Sequence, residues 1–125
     1  MAAASLAMSA PATLAPTPAI DLSTLRLFVG ADDELTVIDF LGRFFMHLDA
    51  DMARMRDTIA RQEWGDTTRI AHQMRSSALA IGACSFALLC ASFETVAQGF
   101  DARFKALERS FNEVRRAVKL VLGVR

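Results

Sequence analysis

Residues 38–59 read IDFLGRFFMHLDADMARMRDTI. Within them Ile38, Leu41, Phe45, Leu48, Met52, Met55 and Ile59 follow one another in alternating steps of three and four. A strand would repeat every second residue, so this spacing is helical, and sustained over about three heptads it is a bundle seam. Val37, Phe40 and Phe44 widen the apolar face, which predicts contact with more than one neighbouring helix.

On the N-terminal side, Asp32 and Asp33 open this helix with the negative charge its dipole prefers. Before them a short helix carries Leu22, Leu25 and Phe28, with Asp21 or Ser23 as its cap and Gly30 as its stop. Residues 1–19 are rich in Ala, broken by Pro11, Pro16 and Pro18, and lack a basic stretch. They read as a flexible leader and not as a secretory signal, leaving residues 20–125 as the folded domain.

On the C-terminal side, Gly65 and Asp66 lie near a boundary, and a helix is predicted over Trp64–Ile81, interrupted by Gly82. The next helix runs from about Ala83 to Gln98 with Phe86, Leu89, Phe93 and Val96 on its seam, and Gly99 marks a turn. The last carries Phe104, Leu107, Phe111, Val114, Val118 and Val121 at the same three–four spacing. No segment alternates with period two, and proline is absent after position 18. Short turns between long amphipathic helices force antiparallel neighbours. The expected fold is an all-α, up-down-up-down antiparallel four-helix bundle with a short N-terminal capping helix.

The 125 residues, just over half of them apolar, suffice for one domain with a single core. Nine Phe, one Trp and no Tyr make the aromatic content packing material. Acidic and basic residues balance at zero net charge, which argues against nucleic acid, because phosphate binding needs a basic surplus. Arg115, Arg116, Lys119 and Arg125 cluster at the C-terminal end, where cations compensate a helix dipole. Cys84 and Cys90 lie about 240° apart on one predicted helix and cannot bridge within it, so a reducing cytoplasm is the default compartment. No apolar run is long enough to cross a membrane. The six Met read as core filler, and no paired carboxylates or Ser-His-Asp order point to hydrolysis.

In the Trp64–Ile81 helix, Ile70, Met74, Ser77 and Ile81 share a face flanked by Thr67, Ala71 and Ala78. His72 lies roughly 160° from the centre of that stripe and is expected to face water. Arg75, Ser76 and Leu79 lie within about one sixth of a turn of it, and Arg69 also runs outward. On the wheel alone such a residue is more often an inert surface histidine. A solitary exposed imidazole among small and cationic side chains is nevertheless a good carrier for a phosphoryl group. His47 falls beside the long seam with no second ligand at a metal-binding spacing, and reads as a rim histidine; no metal site is expected.

Residues 71–94 read AHQMRSSALAIGACSFALLCASFE. Here the chain resembles the histidine-containing phosphotransfer (HPt) domains. Their pattern is a His, a hydrophobic residue two on, a Lys three on, a Gly four on, small residues, a Gly-Ala pair ten and eleven on, and later a Cys and a Glu. His72, Met74, Ser77, Gly82, Ala83, Cys90 and Glu94 match by type and spacing. The likeness extends more loosely over residues 20–122, including Ile20-Asp21-Leu22 and Trp64. Two positions depart from the pattern. Arg75 replaces the Lys, keeping the charge but changing reach and geometry. Ser76 replaces the Gly and projects a side chain one turn from the imidazole, which predicts reduced or altered transfer.

The resemblance implies a phosphorelay intermediate. It would accept a phosphoryl group on His72, at Nε2, from a receiver-domain aspartate and pass it to another receiver, or from a hybrid sensor histidine kinase to a response regulator. Arg75, helped by Arg69, would stabilise the phosphoryl charge, and Ser77 and Gly82 would allow close packing near the histidine. Exposed Leu79 would dock the partner. The chain is expected to use no cofactor of its own, the Mg²⁺ residing on the partner receiver domain. Lacking a P-loop or other ATP-binding pattern, it is expected not to phosphorylate itself. It is expected to be a phosphocarrier without enzymatic turnover, a monomer, and free of nucleic acid and membrane. The alternative, motivated by Ser76, is a non-catalytic adaptor that binds receivers without moving phosphate.

Overall fold

The computed structural model describes residues 18–30, 33–95 and 98–123. Asp32, Val96, Arg125 and most of the expected leader lie outside the described residues. Five helices follow in order: α1 (Leu22–Val29), α2 (Glu34–Ala60), α3 (Trp64–Ala80), α4 (Cys84–Thr95) and α5 (Phe100–Leu122). There is no strand among the described residues.

The first two helices are capped by aspartate side chains at their N-termini. Asp21 caps α1 by accepting hydrogen bonds from the Ser23 amide and hydroxyl at 3.0 and 2.6 Å, and Gly30 closes the helix at φ 75°. Asp33 caps α2 by accepting from the Thr36 amide at 3.0 Å. Both carboxyls are held below the usual carboxylate range by these hydrogen bonds. Trp64 is the first residue of α3, as the sequence predicts.

Cross-helix contacts fix the direction of every neighbour. Asp49 pairs with Arg115 and Arg56 with Glu108, each at 3.3 Å, so α2 and α5 run antiparallel. Thr58 lies 2.7 Å from Thr67, and Arg54 donates to Gln73 at 3.4 Å, which does the same for α2 and α3. His72 beside Glu94 places α3 against α4, which the three-residue connection from Ala80 to Cys84 turns back antiparallel, while Phe93 with Phe100 and Phe86 with Phe111 do the same for α4 and α5. The contacts close a ring α2–α3–α4–α5, and α1 packs across α2 and α3 at one end. This is the antiparallel four-helix bundle with a short N-terminal cap that the spacing predicts.

The core is continuous. Leu41, Leu48, Met55, Met74, Phe86, Phe93, Leu107 and Val114 are almost wholly buried, each stabilising the fold by about 1.5–3 kcal/mol. Val37 is buried, whereas Ile38 and Phe45 of the seam are half-buried. A bundle helix touching two neighbours turns a broader face inward than a two-stranded seam, which shifts burial off the strict register. Phe28 of α1 is 63 % exposed, its ring edge-on to Phe44 at 5.6 Å. The fourth helix ends at Thr95, short of the expected Gln98. Gln98 already belongs to the turn, its carbonyl accepting from Arg103 Nε at 3.1 Å beside Gly99 at φ 73°.

Candidate functional site

Ile70, Ala71, Met74, Ala78 and Ile81 anchor α3 in the core. By helix geometry they turn His72, Arg75, Ser76 and Leu79 outward. The His72 side chain is 59 % exposed, and Ser76 and Leu79 are also exposed. His72 Nδ1 lies 2.9 Å from Glu94 Oε1, contributed by the antiparallel α4. An ionised carboxylate only accepts, so Nδ1 is the protonated nitrogen and Nε2 keeps its lone pair. Nε2 has no partner among the described residues.

Glu94 is shared. Its Oε2 faces Arg75 Nε at 3.1 Å, an ion-pair distance without hydrogen-bond alignment, and both atoms are screened from solvent. The arrangement is a cation and an imidazole arrayed about one half-buried carboxylate. Arg75 is itself 38 % exposed, so its guanidinium reaches the surface beside the imidazole. Directly below, Cys90 is buried on α4. Burial, and then the charge of Glu94, push its thiol up to about 12, so it stays neutral and serves as packing.

The other candidates are placed less centrally. Arg69 is exposed and paired with Asp66 on its own helix. Ser77 is half-buried on the flank of α3. Gly82 is not brought to His72: ten residues further on, it sits in the α3–α4 turn at φ 71°. A Cβ there would lie 2.5 Å from the Asp21 Cβ and 2.7 Å from its amide nitrogen. The close packing it permits is therefore with the segment entering α1, where the Asp21 amide donates to the Ile81 carbonyl at 2.9 Å. His47 is exposed, not packed on the rim.

Sequence reasoning quoted Glu94 as a pattern match but gave it no role. The available signal was charge: Glu94 is the single ionisable acid on α4, in a helix otherwise free of charged residues. Among the described residues no three His, Cys, Asp or Glu side chains gather as metal ligands. No described helix is long and apolar enough to cross a membrane.

Chemically, an accessible imidazole with one nitrogen pinned and the other free is a nucleophile. The carboxylate behind it also offsets the positive charge the ring gains when Nε2 bonds to an electrophile. The Hpt domain family model matches residues 39–122, about two thirds of the chain, and this span contains the whole arrangement. No curated protein and no solved structure matches the chain.

Proposed function

The chain belongs to the Hpt domain family, whose members carry phosphoryl groups on histidine in two-component signalling, and from this we propose that His72 is the carrier residue of a receiver-to-receiver relay. Hpt domains are phosphocarrier modules rather than kinases, and they work with receiver domains and kinases. The observation that carries the proposal is the imidazole, 59 % exposed as a side chain and held at Nδ1 by Glu94 at 2.9 Å.

In the forward step the Nε2 lone pair attacks the phosphorus of a partner's aspartyl phosphate. The N–P bond forms as the bond from phosphorus to the aspartyl oxygen breaks, and the electron pair leaves on the partner's carboxylate. The ring becomes a phosphoimidazolium whose proton stays on Nδ1, facing the negative Glu94. Arg75 supplies cationic charge to the phosphoryl oxygens, and Arg69, already paired with Asp66, acts at longer range. Transfer onward reverses the same step on a second receiver. The Mg²⁺ that neutralises phosphoryl oxygens belongs to the receiver, and the chain contributes no autokinase chemistry. Leu79, 47 % exposed two turns from His72, gives the partner an apolar contact. The working form is a cytoplasmic monomer.

The test is incubation with a receiver domain phosphorylated on aspartate, followed by a second, unphosphorylated receiver. Acid-labile label is expected on the protein and then on the second receiver, and His72→Gln is expected to abolish both. Label that persists in His72→Gln overturns the assignment. Receiver binding without any label, unchanged in His72→Ala, supports the adaptor reading that Ser76 motivates.

A further inference from the structure

The chain has no net charge, yet its cations are unevenly neutralised. Arg26, Arg43, Arg54, Arg56, Arg61 and Arg69 each have a carboxylate within 4 Å, as do Arg75 and Arg115. Among the described residues the cations without one all lie on α5: Arg103, Lys105, Arg109, Arg116 and Lys119. Helix-dipole compensation accounts for Lys119 in the last turn, but the effect fades within a turn and cannot account for Lys105 or Arg109 in the first half.

Lys105 and Arg109 border a trough of about 600 Å³ between α2 and α5. Arg56 and Arg115 also line it, against two acids, Asp49 and Glu108. Each of those acids is already engaged, Glu108 by Arg56 and Asp49 by Arg115. The lining therefore holds two positive charges beyond neutrality, above a floor of nearly buried Met52 and Phe111. From Lys105 to Arg115 the trough runs about 15 Å at the rise of an α-helix. It is an open channel rather than an enclosed pocket, whereas small ligands are typically buried over roughly 70–90 % of their surface. An open channel of this length suits about four or five residues of extended chain.

The geometry points to a second docking surface: the α2–α5 trough receives an extended acidic polypeptide segment of a partner protein, its carboxylates meeting Lys105 and Arg109. Because α5 stands diagonally across the bundle from α3, the trough leaves the His72 face open. A tethered segment held there raises the local concentration of the domain that meets His72.

The probe is a fluorescein-labelled peptide alternating glutamate with leucine, titrated by fluorescence anisotropy into the full chain. Binding is expected to weaken with salt and to fall at least about tenfold in the double variant Lys105→Glu, Arg109→Glu. Both residues are exposed, so the variant is expected to keep its helical circular dichroism and its label transfer to His72. A peptide with glutamine for glutamate is expected to bind poorly. Equal affinity for that peptide, or unchanged affinity in the double variant, overturns the proposal. Inorganic pyrophosphate, or vesicles of anionic lipid, displacing the peptide at equal charge concentration would assign the trough to a different ligand and also overturn it.

Discussion

Ser76 is the residue most able to set the speed of His72. It is exposed one turn beyond the histidine, on the same side of α3. In the proposed relay, a hydroxymethyl group there would crowd the path by which a phosphoryl group and a receiver approach Nε2. Ser76→Gly is expected to raise the rate of label transfer by up to about tenfold, equivalent to about 1.4 kcal/mol of barrier. The same change weakens α3 by about 0.5 kcal/mol through backbone entropy. A stopped-flow or quench-flow transfer rate checks this, and an unchanged rate would remove Ser76 as a determinant. The outward placement of His72 was legible in the sequence, because helical periodicity fixes which side chains leave the core. The partnership with Glu94 was not. A wheel describes one helix, and this contact crosses between two whose relative height depends on turns and packing.

At the scale of elements, the turns decide more than the helix interiors. Gly82 ends α3 in a left-handed conformation while the Asp21 backbone lies against its missing side chain. Gly82→Ala is expected to cost about 1–3 kcal/mol in strain alone and to lift the N-terminal segment off the α3–α4 turn. Faster amide exchange at Asp21, whose hydrogen bond to Ile81 would be lost, is the measurement. The sequence placed Gly82 at the right boundary and attached it to the wrong neighbour, since nothing local reveals which distant segment packs on a turn. Asp51 raises a different question on α2. Its carboxyl is buried and pushed above its ordinary value by desolvation, with Arg54 at 3.1 Å and the charge of His47 opposing the shift. A folded-state value above the unfolded one means that stability is fully present at low pH and is lost as pH rises through the folded value. Asp51→Asn is therefore expected to raise the unfolding temperature at neutral pH, and the gain should shrink as pH falls below the carboxylate range. Arg54 is mostly exposed, so losing its partner costs little. Thermal melts across pH test the sign.

For the whole molecule, three–four spacing and short connections were enough to give the bundle, because antiparallel packing is the compact way to bury long amphipathic stripes joined by turns of three or four residues. Net charge was a poorer guide. A total of zero conceals an uneven distribution: among the described residues, the cations without a carboxylate partner all lie along α5. In the proposed relay, Glu94 holds Nδ1 of His72 and Nε2 takes the phosphoryl group. Phosphorus–nitrogen coupling in ¹⁵N-histidine-labelled protein, recorded after reaction with a phosphorylated receiver domain, tests it most directly. The expected result is a single adduct, on Nε2 of His72, with His47 unmodified. Phosphorus on Nδ1 of His72, or on His47, would contradict it.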